Sequence, residues 1–154
     1  MIPPVWHGIL LIGKANLIPM NATLLLDTCA WLDAFAAPEH FRPSVRKLLV
    51  GEPLVYVSAI SLLEIARKEA KGELVFGMAL SKWFQLALPI NRVCVLEITP
   101  EIAIDATRLP GWSHKDPADQ IIVATARLHG LKILTSDSKI LGYPQVVSIA
   151  SRKT

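Results

Sequence analysis

The sequence predicts an α/β domain built on a central parallel sheet of about five strands, flanked by helices, and three observations carry that reading. Short apolar runs alternate with longer segments of helical spacing along the chain. The runs are apolar throughout instead of alternating with polar residues, as strands buried on both faces are. Hydrophobic residues make up 52% of the 154, enough for one domain with a full core and helices on both sides of a sheet.

The elements follow in order. Thr23 to Leu26 reads as the first strand, closed by Asp27. Thr28 to Ala37 is a helix with Trp31, Leu32 and Phe35 at helical spacing, stopped by Pro38. Pro43 to Val50 is a second short helix with Gly51 after its end. Leu54 to Val57 is a strand by its β-branched and aromatic content. Ser58 to Lys71 is a helix ended by Gly72, and Glu73 to Leu88 a further one ended by Pro89. Val93 to Ile98 is the third strand, and Pro100 to Leu109 a helix with Thr99 as its N-cap. After a loop over 109–115, Asp116 and Pro117 open a helix that Gly130 closes. Lys132 to Thr135 is the fourth strand, Ser138 to Leu141 a helical turn, and Gln145 to Ile149 the fifth strand.

Residues 1–19 stand apart as an N-terminal extension, and the domain occupies 20–154. The extension lacks the basic start of a signal peptide, and Ile9 to Ile12 is too short to span a bilayer. Met20 precedes the first strand as an initiator would, so an upstream mis-start is the expectation. No membrane association is expected. Cys29 and Cys94 are the two cysteines, with no CxxC and no nearby His pair. That argues against a disulfide framework or a zinc site and fits a reducing, cytoplasmic setting. Cys29 reads as a small buried hydrophobe, although a helix start can lower a thiol pKa. The net charge of +3 leaves room for basic residues to hold phosphates while acids hold a metal.

The acids carry the chemistry. Asp27 and Asp137 each follow an apolar run, where the strand ends of a parallel sheet line a ligand crevice. Glu64 and Asp119 fall near the starts of two helices at the same edge. Each also has a plain reading. Asp27 caps the next helix, Glu64 is a solvated surface acid among Ser61, Arg67, Lys68 and Lys71, Asp119 favours the helix dipole, and Asp137 is a turn residue. Asp116 is better explained as a helix cap than as a ligand. A cluster of negative charge with few cations nearby raises its own pKa values unless a divalent ion holds it together.

The segments Thr23–Thr28, Ser61-Leu-Leu-Glu64-Ile, His114-Lys-Asp116-Pro-Ala-Asp119-Gln-Ile-Ile-Val-Ala124-Thr-Ala126 and Leu134-Thr135-Ser-Asp137 resemble the PIN-domain nucleases. Within these they are similar to the VapC-type toxins of toxin–antitoxin modules, over about residues 22–150. The resemblance implies that Asp27, Glu64, Asp119 and Asp137 form an acidic quartet, with Thr28, Asp116 and Thr135 as accessory residues. It implies Mg²⁺ or Mn²⁺ held directly by Asp27 and Asp119, with Glu64 and Asp137 acting through water. The activity implied is endonucleolytic cleavage of RNA, tRNA or rRNA in particular. Arg67, Lys68, Lys71, His114 and Lys115 are the candidates for RNA phosphate contact. Gln120 departs from the Arg common after the third acid, which bears on one phosphate or partner contact. The implied partners are a second copy of the chain and an antitoxin that lays an amphipathic segment in an apolar groove. DNA enters only indirectly, through the antitoxin.

Other readings fit less of the chain. A haloacid dehalogenase phosphatase needs a second Asp where Cys29 stands, and a receiver domain needs a late-strand Lys that Ser148-Ile149-Ala150 lacks. A PIN nuclease of ordinary RNA processing and a non-catalytic PIN-like binding module stay open.

Overall fold

Among the described residues every strand is three or four residues long, and at least one helix separates each strand from the next. In this computed structural model, which describes residues 23–90 and 92–152, five strands form one sheet. They are β1 (Leu24–Leu26), β2 (Val55–Ser58), β3 (Val93–Leu96), β4 (Lys132–Thr135) and β5 (Ser148–Ala150). All pair in parallel, in the order β3-β2-β1-β4-β5. The helices are α1 (Thr28–Ala36), α2 (Pro43–Gly51), α3 (Ala59–Ala70), α4 (Leu80–Ile90), α5 (Pro100–Ala106), α6 (Pro117–His129) and α7 (Ser138–Leu141). The expected α/β class with a parallel sheet is the one adopted. The expected extension over residues 1–19 lies outside the described residues. Among those described, no helix is long and apolar enough to cross a membrane.

The sheet is buried on both faces because its strands are apolar at both parities. Leu24, Leu25 and Leu26 are all fully buried. Leu24 and Leu26 join Trp31, Val57, Ile65 and Trp83 in one core, while Leu25 joins Tyr56, Ile122, Val123 and Ile133 in the other. Burying each leucine contributes roughly 1.5–3 kcal/mol. Helices α1 to α4 cover the first face, and α5 to α7 the second.

The topology sets the site. From β1 the chain builds outward through β2 to β3, then crosses to place β4 on the other side of β1. The sheet therefore has a switch point between β1 and β4. Ligands of open α/β sheets bind at such a point, outside the carboxyl ends of the strands.

Several element bounds differ from the sequence reading. The helix expected from Glu73 begins only at Leu80. Gly72 takes a left-handed φ of 74°, and the amides of Glu73 and Leu74 bond back to the Lys68 carbonyl at 2.8 and 3.3 Å. That wrap turns the chain away, and Phe76 folds onto Trp83 with ring centroids 4.8 Å apart. The same helix passes Pro89 to end at Ile90. In its last turn the lost amide bond falls at the exposed residue Gln85, whose carbonyl water can satisfy. Helix α5 stops at Ala106, not Leu109, because the amides of Thr107 and Arg108 make tighter bonds to Ile104 and Asp105. Strand β3 ends at Leu96, where its partner β2 ends at Ser58. Strand β5 runs over Ser148–Ala150, a shift toward the C-terminus from the expected 145–149, set by the pairing of Ile133 with Ser148.

Candidate metal centre

Strand ends and helix starts meet at the switch point. Asp27 ends β1 and caps α1, its Oδ1 accepting the Ala30 amide at 2.7 Å. Its Oδ2 accepts the Thr135 hydroxyl from the end of β4. Both Asp27 oxygens are thus committed, and the residue is only 6% exposed. Asp137 follows β4 and caps α7, accepting the amides of Lys139 at 2.7 Å and Ile140 at 3.3 Å. Its own amide donates to Thr135 Oγ1 at 2.9 Å. Asp116 caps α6 through the Ala118 amide at 2.9 Å, which leaves Asp119 in the first turn. Glu64, on α3, accepts the Thr28 hydroxyl. The plain readings of Asp27 and Asp116 as caps are therefore correct, and Asp137, read as a turn residue, is a cap as well. For Asp27 and Asp137 capping coexists with a place at the shared edge.

Electrostatics bind the four acids into one system. Burial pushes Asp27 above the usual carboxylate range, the hydrogen bonds from Thr135 and Ala30 pull it down, and Asp137 and Glu64 push it up again. Asp119 is pushed up to about 7, first by burial and then by Asp116, Asp137 and Glu64, against a small opposing pull from Lys139. A half-buried acid surrounded by acids holds its proton more tightly folded than unfolded. Its ionisation therefore costs stability. The stability present below pH 4 is lost as pH rises through about 7. Asp119→Asn removes that loss. The metal-free variant should melt higher than the wild type at pH 8 by a few degrees, and near pH 4 the two should coincide. The effect corresponds to the order of 1 kcal/mol once solvent screening is allowed for. Thermal melts in EDTA at the two pH values check this.

The donor set fits a hard divalent cation. Among the described residues the side chains hydrogen-bonded to Asp27 and Glu64 are hydroxyls, those of Thr135 and Thr28, with no imidazole or thiol among the bonded partners of the four acids. Among the described residues no three acidic, His or Cys side chains close on one another as a cage. Mg²⁺, which keeps several waters and takes one or two carboxylates directly, does not need a closed one.

The basic candidates divide. Arg67, Lys68 and Lys71 line one hollow of about 310 Å³ together with Glu64, Asp116 and Pro117. His114 and Lys115 are not part of it. The His114 carbonyl accepts from Gln120 Nε2 at 3.2 Å, and its ring packs edge-on against Trp112 at 5.2 Å. The residue that replaces the common Arg thus anchors the preceding loop. Cys29 is a correction on two counts: it is exposed, and its thiol pKa goes up. Desolvation of the sulfur and the neighbouring Asp27 carboxylate outweigh Lys68. Three residues escaped the sequence reading. Lys139 acts on Asp119, and Arg152 acts on Asp27 while paired with Asp33 at 2.8 and 2.9 Å. Ser61 bonds Thr28 at 2.9 Å. Ser61 alone left a signal, three residues before Glu64 on one helical face.

Comparison with known proteins finds relatives that share this fold. The PIN domain family matches residues 24–144. Ribonuclease VapC22 of Mycobacterium tuberculosis is 28% identical over 129 residues, which cover 82% of this chain and 98% of that protein. A toxin–antitoxin complex from Klebsiella pneumoniae superposes with a TM-score of 0.58 at 25% identity, covering 81% of this chain and 96% of that one. DNA-bound VapBC from Salmonella typhimurium, at 18% identity and a TM-score of 0.61, covers 83% and 97% and shares the fold.

Proposed function

Because this chain belongs to the PIN domain family, we propose that it is a metal-dependent endoribonuclease acting as the toxin of a toxin–antitoxin pair. The observation that carries the reading is the placement of Asp27 and Asp137 just past β1 and β4, the strands that flank the switch point, with Glu64 and Asp137 acting electrostatically on both Asp27 and Asp119. The name of the Mycobacterium relative, a ribonuclease, and the Klebsiella structure, a toxin–antitoxin complex, support it.

Asp27 and Asp119 would hold Mg²⁺ or Mn²⁺ directly, and Glu64 and Asp137 would reach it through water. Bound there, the ion supplies an activated water and neutralises charge that builds on the phosphate during in-line attack. The Thr135 hydroxyl keeps one Asp27 oxygen aimed, and the Thr28 hydroxyl does the same for Glu64. Three helix starts, those of α1, α6 and α7, point their amide ends at this edge and offset part of the acids' repulsion. Arg67, Lys68 and Lys71 hold phosphates of the strand beside Glu64.

Two protein partners belong to the proposal. The exposed Ile104 and Leu128, on the paired helices α5 and α6, offer a second copy an apolar face. A largely apolar hollow of about 310 Å³, lined by Phe41, Leu49 and Val55 together with Arg46, Glu52 and Arg92, offers an antitoxin its groove.

Cleavage of a total-RNA or tRNA pool tests the function. Wild-type protein freed of antitoxin should cut with Mg²⁺ or Mn²⁺ and stop in EDTA, and Asp119→Asn should not cut in any condition. Cutting that persists in EDTA or in the folded variant would remove metal or Asp119 from the reaction.

A further inference from the structure

Counting protons at the site assigns a role to Ser61 that the acidic quartet does not include, given the nuclease reading above. Thr28 Oγ1 lies within hydrogen-bonding reach of two oxygens, Glu64 Oε2 and Ser61 Oγ, the second at 2.9 Å. A threonine hydroxyl carries one proton, and a carboxylate only accepts. The Thr28 proton therefore goes to Glu64, and the other bond must be filled by the Ser61 proton. The direction is Ser61 to Thr28 to Glu64. Water cannot substitute in this chain, because Ser61 is fully buried and Thr28 is 3% exposed. If Thr28 turned its proton to Ser61, a hydroxyl lone pair would face the carboxylate, and the buried pair would lose its strongest bond.

The opposite side of the site follows the same logic. Thr135 donates to Asp27, and the Asp137 amide fixes it from behind at 2.9 Å. In that relay the fixing donor is main chain, which no substitution other than proline removes. In the Thr28 relay the fixing donor is a side chain. Ser61 stands in the first turn of α3, three residues before Glu64, so both ends of the relay ride on one helix while Thr28 reaches across from α1.

We propose that Ser61 is a positioning residue, which fixes the Thr28 proton on Glu64 and so orients that carboxylate toward a divalent cation. It acts through Thr28 and touches neither the ion nor RNA.

The test is Mn²⁺ binding by calorimetry, without RNA, on the full chain as wild type, Ser61→Ala, Thr28→Val and the double variant, each checked by circular dichroism. Ser61→Ala should weaken Mn²⁺ binding about tenfold, the low end for residues that orient metal ligands. Thr28→Val should weaken it at least as much. Ser61→Ala should add nothing in the Thr28→Val background, because its effect passes through Thr28. Should Ser61→Ala fail to fold, Ser61→Cys, similar in size and a poor donor, carries the same expectation. Unchanged affinity in a folded Ser61 variant, or losses that add in the double variant, would overturn the relay while the nuclease reading stands. Wild-type protein that does not bind Mn²⁺ would overturn both.

Discussion

Asp27→Asn should lower RNA cleavage by roughly a hundredfold to a thousandfold or more, with the protein still folded. The substitution keeps shape and removes charge. Asn ranks with Asp as an N-cap, so the 2.7 Å bond from the Ala30 amide survives and α1 still starts at Thr28. The other oxygen is where the site breaks. An amide NH₂ in place of Oδ2 would face the Thr135 hydroxyl, which must then turn its proton away. Turning the Asn over restores that bond and loses the cap, so one of the two is always spoiled. Stability suffers little, because burial, Asp137 and Glu64 already make the Asp27 charge costly. Cleavage rates beside circular dichroism spectra check this, and wild-type cleavage by a folded variant would remove Asp27 from the mechanism.

Trp31→Ala should destabilise the fold by about 3–5 kcal/mol, a large share of the stability of a single domain. Trp31 is fully buried beneath α1 and meets Trp83 at 5.5 Å and Phe84 at 6.1 Å, so its loss opens a cavity among rings that cannot close over it. Since α1 carries Asp27 and Thr28 at its start, metal binding should weaken along with the fold. Trp31→Phe should cost far less. It keeps the ring and removes an indole N–H that has no acceptor among the described residues. Denaturant titration of both variants measures the difference. Equal losses would show that ring volume is not what the site requires.

How much of this was legible depended on how local its cause is. Asp27 and Asp137 could be read because the first directly follows an apolar run and the second follows the polar end of one, Thr135-Ser136, and strand ends define the crevice of a parallel sheet. The caps of α5 and α6 could be read because Thr99, Asp116 and Gly130 act on amides and carbonyls a few residues away. The stretch from Glu73 could not. Its apolar residues have helical spacing, and only the contact of Phe76 with Trp83 and the wrap after Gly72 decide against a helix there. His114 and Lys115 pointed to phosphate through their closeness to Asp116 in sequence, whereas Gln120 and Trp112 fix how that loop lies. Arg152 reaches Asp33 from 119 residues away, and no local pattern announces such a pair. Ser61 was visible only as a neighbour of Glu64 until Thr28 stood between them.

The most direct test is anomalous diffraction from crystals of the wild-type protein soaked in Mn²⁺ above pH 8, where Asp119 is ionised. The expected result is a manganese peak at the β1/β4 switch point in direct contact with carboxylate oxygens of Asp27 and Asp119, absent from Asp119→Asn crystals. Manganese bound elsewhere in the crystal, with no peak at the switch point, would contradict the assignment of these acids as a metal centre.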